Sequence, residues 1–300
     1  MKNSSPSSPS DLLPITRDLT LVYALSLVVA VMMALASTAG LLDKTSIYPT
    51  QELLKTFVAN SNQNQMRKVE TADSNWKSLY KISGGTALVF IAYSLVTMIL
   101  LVAIGGQPAS AQEGFAMLQE NRLVGLLRLD VLTVLVMPLY YLLLGGLYTA
   151  LRKTNAVYAT IAAVLGFAGV TLFLATPSVF SWLTLGDKFA AATSEAQKTL
   201  LLAAGEAILA SDMWHGTGAL MGGILIQVAT TLFSIVMLWS NVFGKATAYV
   251  GIVTHGLDLL HCLVGFFIPI GGMILMAMAG PLYLVWFPLL ARDFFRLARE

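Results

Sequence analysis

Uninterrupted apolar runs long enough to cross a lipid bilayer recur along this chain, and they constrain its fold more than any other feature. A transmembrane helix needs ~20 apolar residues, and its backbone must satisfy its hydrogen bonds within the segment because hydrocarbon offers none. Runs of that kind occupy 19–42, 84–106, 129–151, 155–184 and 216–243. Pro177 sets the end of the membrane part of the fourth. The last block, 247–291, is too long for one crossing. As a single helix it would extend ~67 Å, about twice the hydrocarbon core. It must fold back, and IPIGG at 268–272 is the break. The fold class read from this pattern is an all-α polytopic integral membrane bundle of seven transmembrane helices, with six as the alternative.

Composition narrows the function classes. Hydrophobic residues are 57% of the 300 and charged residues 11%, where soluble domains carry about 25% charged. Mean hydropathy is +0.75. A net charge of +2 gives no basic footprint for nucleic acid. The single cysteine, Cys262, rules out an intramolecular disulfide and cysteine zinc sites, and in an apolar run it reads as a small hydrophobe. Membrane lipid is the expected partner, with no nucleic acid and no cofactor.

The domain reading follows the runs. Residues 1–18 form a disordered polar N-terminus, with SSPSSPS of low complexity. Residues 19–42 form the first transmembrane helix. Ala34-Leu35-Ala36 resembles a cleavage site, but a polar stretch with Asp11 and Asp18 precedes the run, and the run continues past the site, which favours a span over a leader. Residues 43–83 form a polar loop. Residues 84–300 form a six-helix membrane domain with an extramembrane helix near 194–210. Ser194 and Gln197 suit that helix's capping box, and Leu201, Ala204, Gly205 and Ile208 share one face. That face suits either the bilayer interface or the loops above the bundle.

With seven spans, one side carries Lys2, Arg17, Arg122, Arg128, Lys188 and Lys198. The other carries Lys44, Lys55, Arg67, Lys68, Lys77, Lys81, Arg152, Lys153, Lys245, Arg292, Arg296 and Arg299. The richer side is expected to be cytoplasmic, which puts the N-terminus outside and the C-terminus inside. Trp182, Trp239, Tyr283 and Trp286 lie near expected span ends and read as interfacial aromatics.

Three stretches carry a likeness: LYTALRKTNAVYATIAAVLGFAG at 147–169, GDKFAAATSEAQKTLLLAAGEAILA at 186–210 and VFGKATAYVGIV at 242–253. From about Ser78 to Arg299 the chain resembles the bacterial multi-pass membrane family known as domain of unknown function 4386. The resemblance implies a helical protein of the bacterial inner membrane. It carries over no catalytic residue.

Ionisable groups at bilayer depth are costly and invite a functional question. His255, Asp258 and His261 in THGLDLLHCLVGF fall at i, i+3 and i+6, within an arc of about 120° on a helix. The histidines are ~9 Å apart along the axis, too far for one ion on a straight helix. A His–Asp–His polar seam between helices is the expected reading, with a proton or ligand site and a metal site as rivals. Asp212 and His215 precede span five, where Asp212 is expected to cap the helix. Arg128 is expected to snorkel to the interface, and Asp130 to pair with Arg122, His255 or a backbone donor. Gly218 and Gly222 form a GxxxG, a close contact within the bundle or with a second copy or membrane partner. Met273, Met276 and Met278 are read as lipid-facing or packing.

No HExxH, GxSxG, Walker A or GxGxxG motif is present. Function is therefore expected to be non-enzymatic: a sensor, ligand-binding protein or partner subunit. The alternatives are an intramembrane hydrolase or metal-dependent enzyme using Asp130, Asp212, His215, His255, Asp258 and His261, and a small-solute transporter. The enzyme alternative requires those six to converge in one cavity.

Overall fold

The structure, a computed structural model, describes residues 76–176, 178–212 and 216–300. The polar N-terminus 1–18, the span 19–42 and most of the loop 43–83 lie outside the described residues, as does His215. The described chain is helical throughout, with no strand: α1 Lys77–Ile104, α2 Ala111–Glu120, α3 Arg122–Arg128, α4 Val131–Val136, α5 Leu139–Leu151, α6 Ala156–Leu174, α7 Val179–Ala191, α8 Glu195–Leu209, α9 Thr217–Trp239, α10 Lys245–Phe267 and α11 Pro269–Leu297. Five helical segments among the described residues are long and apolar enough to cross a membrane: α1, the α6–α7 stretch, α9, α10 and α11. The protein is an all-α membrane bundle. Beside those five segments α5 is a shorter apolar helix, and with α4 it extends ~30 Å.

The crossings form a ring in which α1 packs on α5, α5 on α6, α6 on α9, α9 on α10, α10 on α11, and α11 on α1. Leu143, Leu147, Phe233, Met237, Trp286 and Phe294 fill it. The crossing of α6 with α9 is made by glycine. A Cβ on Gly222 would lie 2.8 Å from the Gly169 carbonyl oxygen, and one on Gly218 would lie 2.6 Å from Thr176 Cγ2. The 218/222 pair therefore packs within the chain, the first of the settings expected for it. Exposed apolar side chains cover the outside of α1 and α11. Val102 is 88% exposed and Met273, Met276 and Met278 are all exposed, as contact with lipid requires.

Two interruptions shape the interior. The expected single span 129–151 is broken twice. Asp130 adopts a left-handed conformation (φ 60°, ψ 39°), which Asp tolerates better than most residues because its short side chain bonds locally, and here Oδ1 accepts from the Thr133 hydroxyl at 2.6 Å. Pro138 then ends α4, since its ring has no N–H and clashes with the preceding turn. The block 247–291 folds back as expected, with Ile268 out of helical conformation (φ −134°, ψ 85°) between α10 and the N-terminal Pro269 of α11. The hairpin closes tightly, and a Cβ on Gly272 would lie 2.5 Å from Gly265 Cα. Residues 77–83, read as loop, are the first turns of α1.

At one end α2, α3, α7 and α8 form a cap around Phe115 and Trp182, whose ring centroids are 5.4 Å apart. Ser194 caps α8 through the Gln197 amide at 3.3 Å. The apolar face of α8 packs on α2, where Gly205 meets Ala111 and Phe115. Glu206 Oε1 accepts from the Ala111 amide at 2.7 Å and so caps α2 from across the interface. Arg122, Arg128, Lys188 and Lys198 lie in this cap. Lys77, Lys81, Arg152, Lys153, Lys245, Arg292 and Arg296 lie at the opposite helix ends. There Asp293, fully buried, accepts from the Gly244 amide at 2.9 Å and the Thr247 hydroxyl at 2.5 Å, capping α10.

Candidate functional site

Gln227 on α9, His255 and Asp258 on α10, and Tyr283 on α11 meet in the bundle interior. Each lies in an otherwise apolar stretch, so each needs a partner there, and the three helices supply them. Gln227 Nε2 donates to Asp258 Oδ2 at 2.6 Å, and the Tyr283 hydroxyl donates to the same oxygen at 2.7 Å. His255 Nδ1 is 2.7 Å from Gln227 Oε1. The carboxylate fixes the rest by donor logic. It demands the Gln227 NH2, which turns Oε1 toward His255, so His255 Nδ1 must carry the proton. Nε2 is then an acceptor, and it has no hydrogen-bond partner among the described residues. The fully buried ring is held edge-to-face by Trp286, 4.4 Å between centroids.

Next to this network lies a partly open cavity of about 290 Å³. Asp258, Gln227 and Tyr283 line one side. Thr133, Val136, Met137 and Tyr140, gathered around the α4–α5 break, line another. Phe90, Tyr93, Phe173 and Phe287 complete an aromatic wall. The break between α4 and α5 thus borders this space. A second polar relay enters from α1 and α4. Thr133 donates to Asp130, so the Tyr93 hydroxyl, hydrogen-bonded to Thr133 Oγ1, must donate in turn.

The residues singled out in the sequence divide among separate partners. His255 and Asp258 share one network, but Gln227 and Tyr283 bridge them. His261 bonds instead through Nδ1 to the Gly272 carbonyl at 3.0 Å across the α10–α11 hairpin. The continuous His–Asp–His seam is therefore corrected to a His–Gln–Asp–Tyr network with His261 apart. Asp130 pairs with neither Arg122 nor His255 but takes the third expected partner, a backbone donor, from the Thr133 amide. Arg122 forms a forked pair with Asp187 at 3.0 and 3.1 Å, and Arg128 reaches Glu113 at 2.8 Å and the Gly106 carbonyl at 2.6 Å instead of snorkelling alone. Asp212 is buried before α9, but Gly216 holds the cap position. Of the five candidates among the described residues, only His255 and Asp258 share a hydrogen-bonded network, and no group of three or more His, Cys, Asp or Glu there is arranged to hold a metal. Outside the crossings, the Ala109 amide and the Arg128 guanidinium hold the Glu113 carboxyl below its usual range.

Gln227, Tyr93, Thr133 and Tyr140 were not singled out in the sequence, and Tyr283 and Trp286 were misread as interfacial. An amide within LMGGILIQVATTLF was the available signal, since glutamine in a span bonds across helices. The tyrosines gave none, because their sequence neighbours match those of an interfacial ring. Trp182, likewise read as interfacial, is 1% exposed in the cap.

No family model matches the chain, no curated protein is significantly similar to it, and no solved structure is either.

Proposed function

We propose that the chain is a non-enzymatic, membrane-embedded binding protein that holds a small molecule in the bundle cavity. One observation carries the reading: an aromatic-lined space of about 290 Å³ abuts a satisfied polar network that presents an acidic side chain to it. Ligand sites are mostly apolar hollows of ~300–1,000 Å³ with a few placed polar groups, and this cavity has that character at the small end of the range. A serine, threonine or cysteine hydrolase joins its nucleophile to a base. Among the described residues no serine, threonine or cysteine is hydrogen-bonded to His255 or Asp258.

The setting we propose is a bacterial inner membrane, from the resemblance to the family of domain of unknown function 4386. The helix ends bearing Arg152, Lys153, Lys245, Arg292 and Arg296 face the cytoplasm, as the excess of basic residues there favours.

The test is native mass spectrometry of the protein released from mild detergent, beside Val136→Trp, which puts an indole into the cavity. The reading expects a stoichiometric small-molecule adduct on the native chain that is lost in Val136→Trp. An adduct retained by Val136→Trp, or a native chain that takes up nothing from a cell extract, contradicts it.

A further inference from the structure

The network leaves one bond unmade, and the cavity wall has one sign of charge. Asp258 is the only ionisable acid or base among the residues lining the space, apart from tyrosine phenols. Both intramolecular donors, Gln227 Nε2 and Tyr283 OH, go to its Oδ2. Oδ1 has no hydrogen bond or ion pair among the described residues. Lysines and arginines sit at the two ends of the bundle, and every described ion pair lies there. His261, one turn along α10, spends Nδ1 on the Gly272 carbonyl. His261 lies within electrostatic reach of Asp258, but no lysine or arginine among the described residues pairs with it. A half-buried carboxylate without such a partner is costly, and a ligand that brings its own positive charge offsets that cost.

The walls favour the same class. Phe90, Tyr93, Tyr140, Phe173, Tyr283 and Phe287 all border the space, and aromatic faces attract cations through their quadrupoles. Phosphates and carboxylates meet the opposite conditions, an acidic residue and no basic side chain. We propose that the cavity takes an organic ammonium, with its charged nitrogen against Asp258 Oδ1 and its apolar body among the rings. This assignment rests on the binding reading above and gives it a ligand class.

Equilibrium dialysis of the full chain in detergent tests it with two probes of the same shape: benzyltrimethylammonium and its neutral carbon isostere, 2,2-dimethylpropylbenzene. Protein-free micelles correct for partition into detergent. The native chain is expected to prefer the cation by roughly tenfold or more, the scale of a desolvated cation–π contact. Asp258→Asn is expected to abolish that preference. The asparagine carbonyl can still accept from Gln227 and Tyr283, so the network is kept while the charge goes. Equal binding of the two probes by the native chain, or a preference that survives Asp258→Asn, overturns the ammonium assignment and leaves the cavity as a site for neutral molecules. Failure of both probes to bind overturns the binding reading as well. The native-chain comparison stands alone if Asp258→Asn does not fold.

Discussion

Asp258 carries two hydrogen bonds on one oxygen, and its removal strands both donors. Asp258→Ala is expected to lower stability by about 1–3 kcal/mol, the cost of buried polar groups left without a partner, read as a melting temperature in detergent. Tyr283→Phe removes one of the two bonds and should cost less, about 1 kcal/mol. If the two variants melted alike and both at the native temperature, the network would not be a structural tie. Glu113 makes a separate prediction from the cap. Its folded pKa is depressed by the Ala109 amide and Arg128, so its contribution to stability is present above the unfolded pKa and is lost as pH falls through the folded one. The native chain should melt higher than Glu113→Gln at pH 7, and the gap should close below the carboxylate range. A gap that stays constant with pH would assign the effect to packing. At this scale the sequence was only partly legible. His255 and Asp258 stood out because charge is rare in a span, whereas Tyr283 and Tyr93 did not, because only the folded bundle shows whether a tyrosine ring points to lipid headgroups or to a buried acid.

The helical elements were legible to the extent that apolar length determines them. The runs at 84–106, 216–243 and 247–291 became α1, α9 and the α10–α11 hairpin, and IPIGG marked the turn correctly. Hydropathy alone is blind to the break in 129–151, because Leu, Val, Met and Pro keep the run apolar while Asp130 and Pro138 interrupt its hydrogen bonding. That break borders the cavity. Pro138→Ala restores an N–H and relieves the clash, so α4 and α5 are expected to join, and Thr133, Val136 and Met137 to move into the space. Ligand uptake should fall severalfold with no loss of melting temperature. Unchanged uptake would mean that the cavity does not depend on the break. Close packing of α6 on α9 predicts the opposite balance. In Gly222→Leu a side chain must enter where the Gly169 carbonyl and the Phe173 backbone already stand, at a cost of about 1–3 kcal/mol or more.

For the whole molecule, the ring of crossings with a four-helix cap puts its basic residues unevenly. The cap holds Arg122, Arg128, Lys188 and Lys198, and the other end holds most of the rest. In a Cys262→Ser background, Lys198→Cys should react with a membrane-impermeant maleimide on intact cells, and Lys153→Cys only after permeabilisation. The reverse pattern would invert the proposed orientation without touching the fold. In the interior, one acid and a wall of aromatic rings face a space that the chain itself leaves open. The most direct measurement is an electron cryomicroscopy map of the full chain in a lipid nanodisc, held by a binding fragment on the cap. Non-protein density is expected between Phe90, Phe173 and Tyr140, reaching Asp258 Oδ1. A cavity closed by protein side chains, with Asp258 paired to a lysine or arginine of the chain, would contradict it.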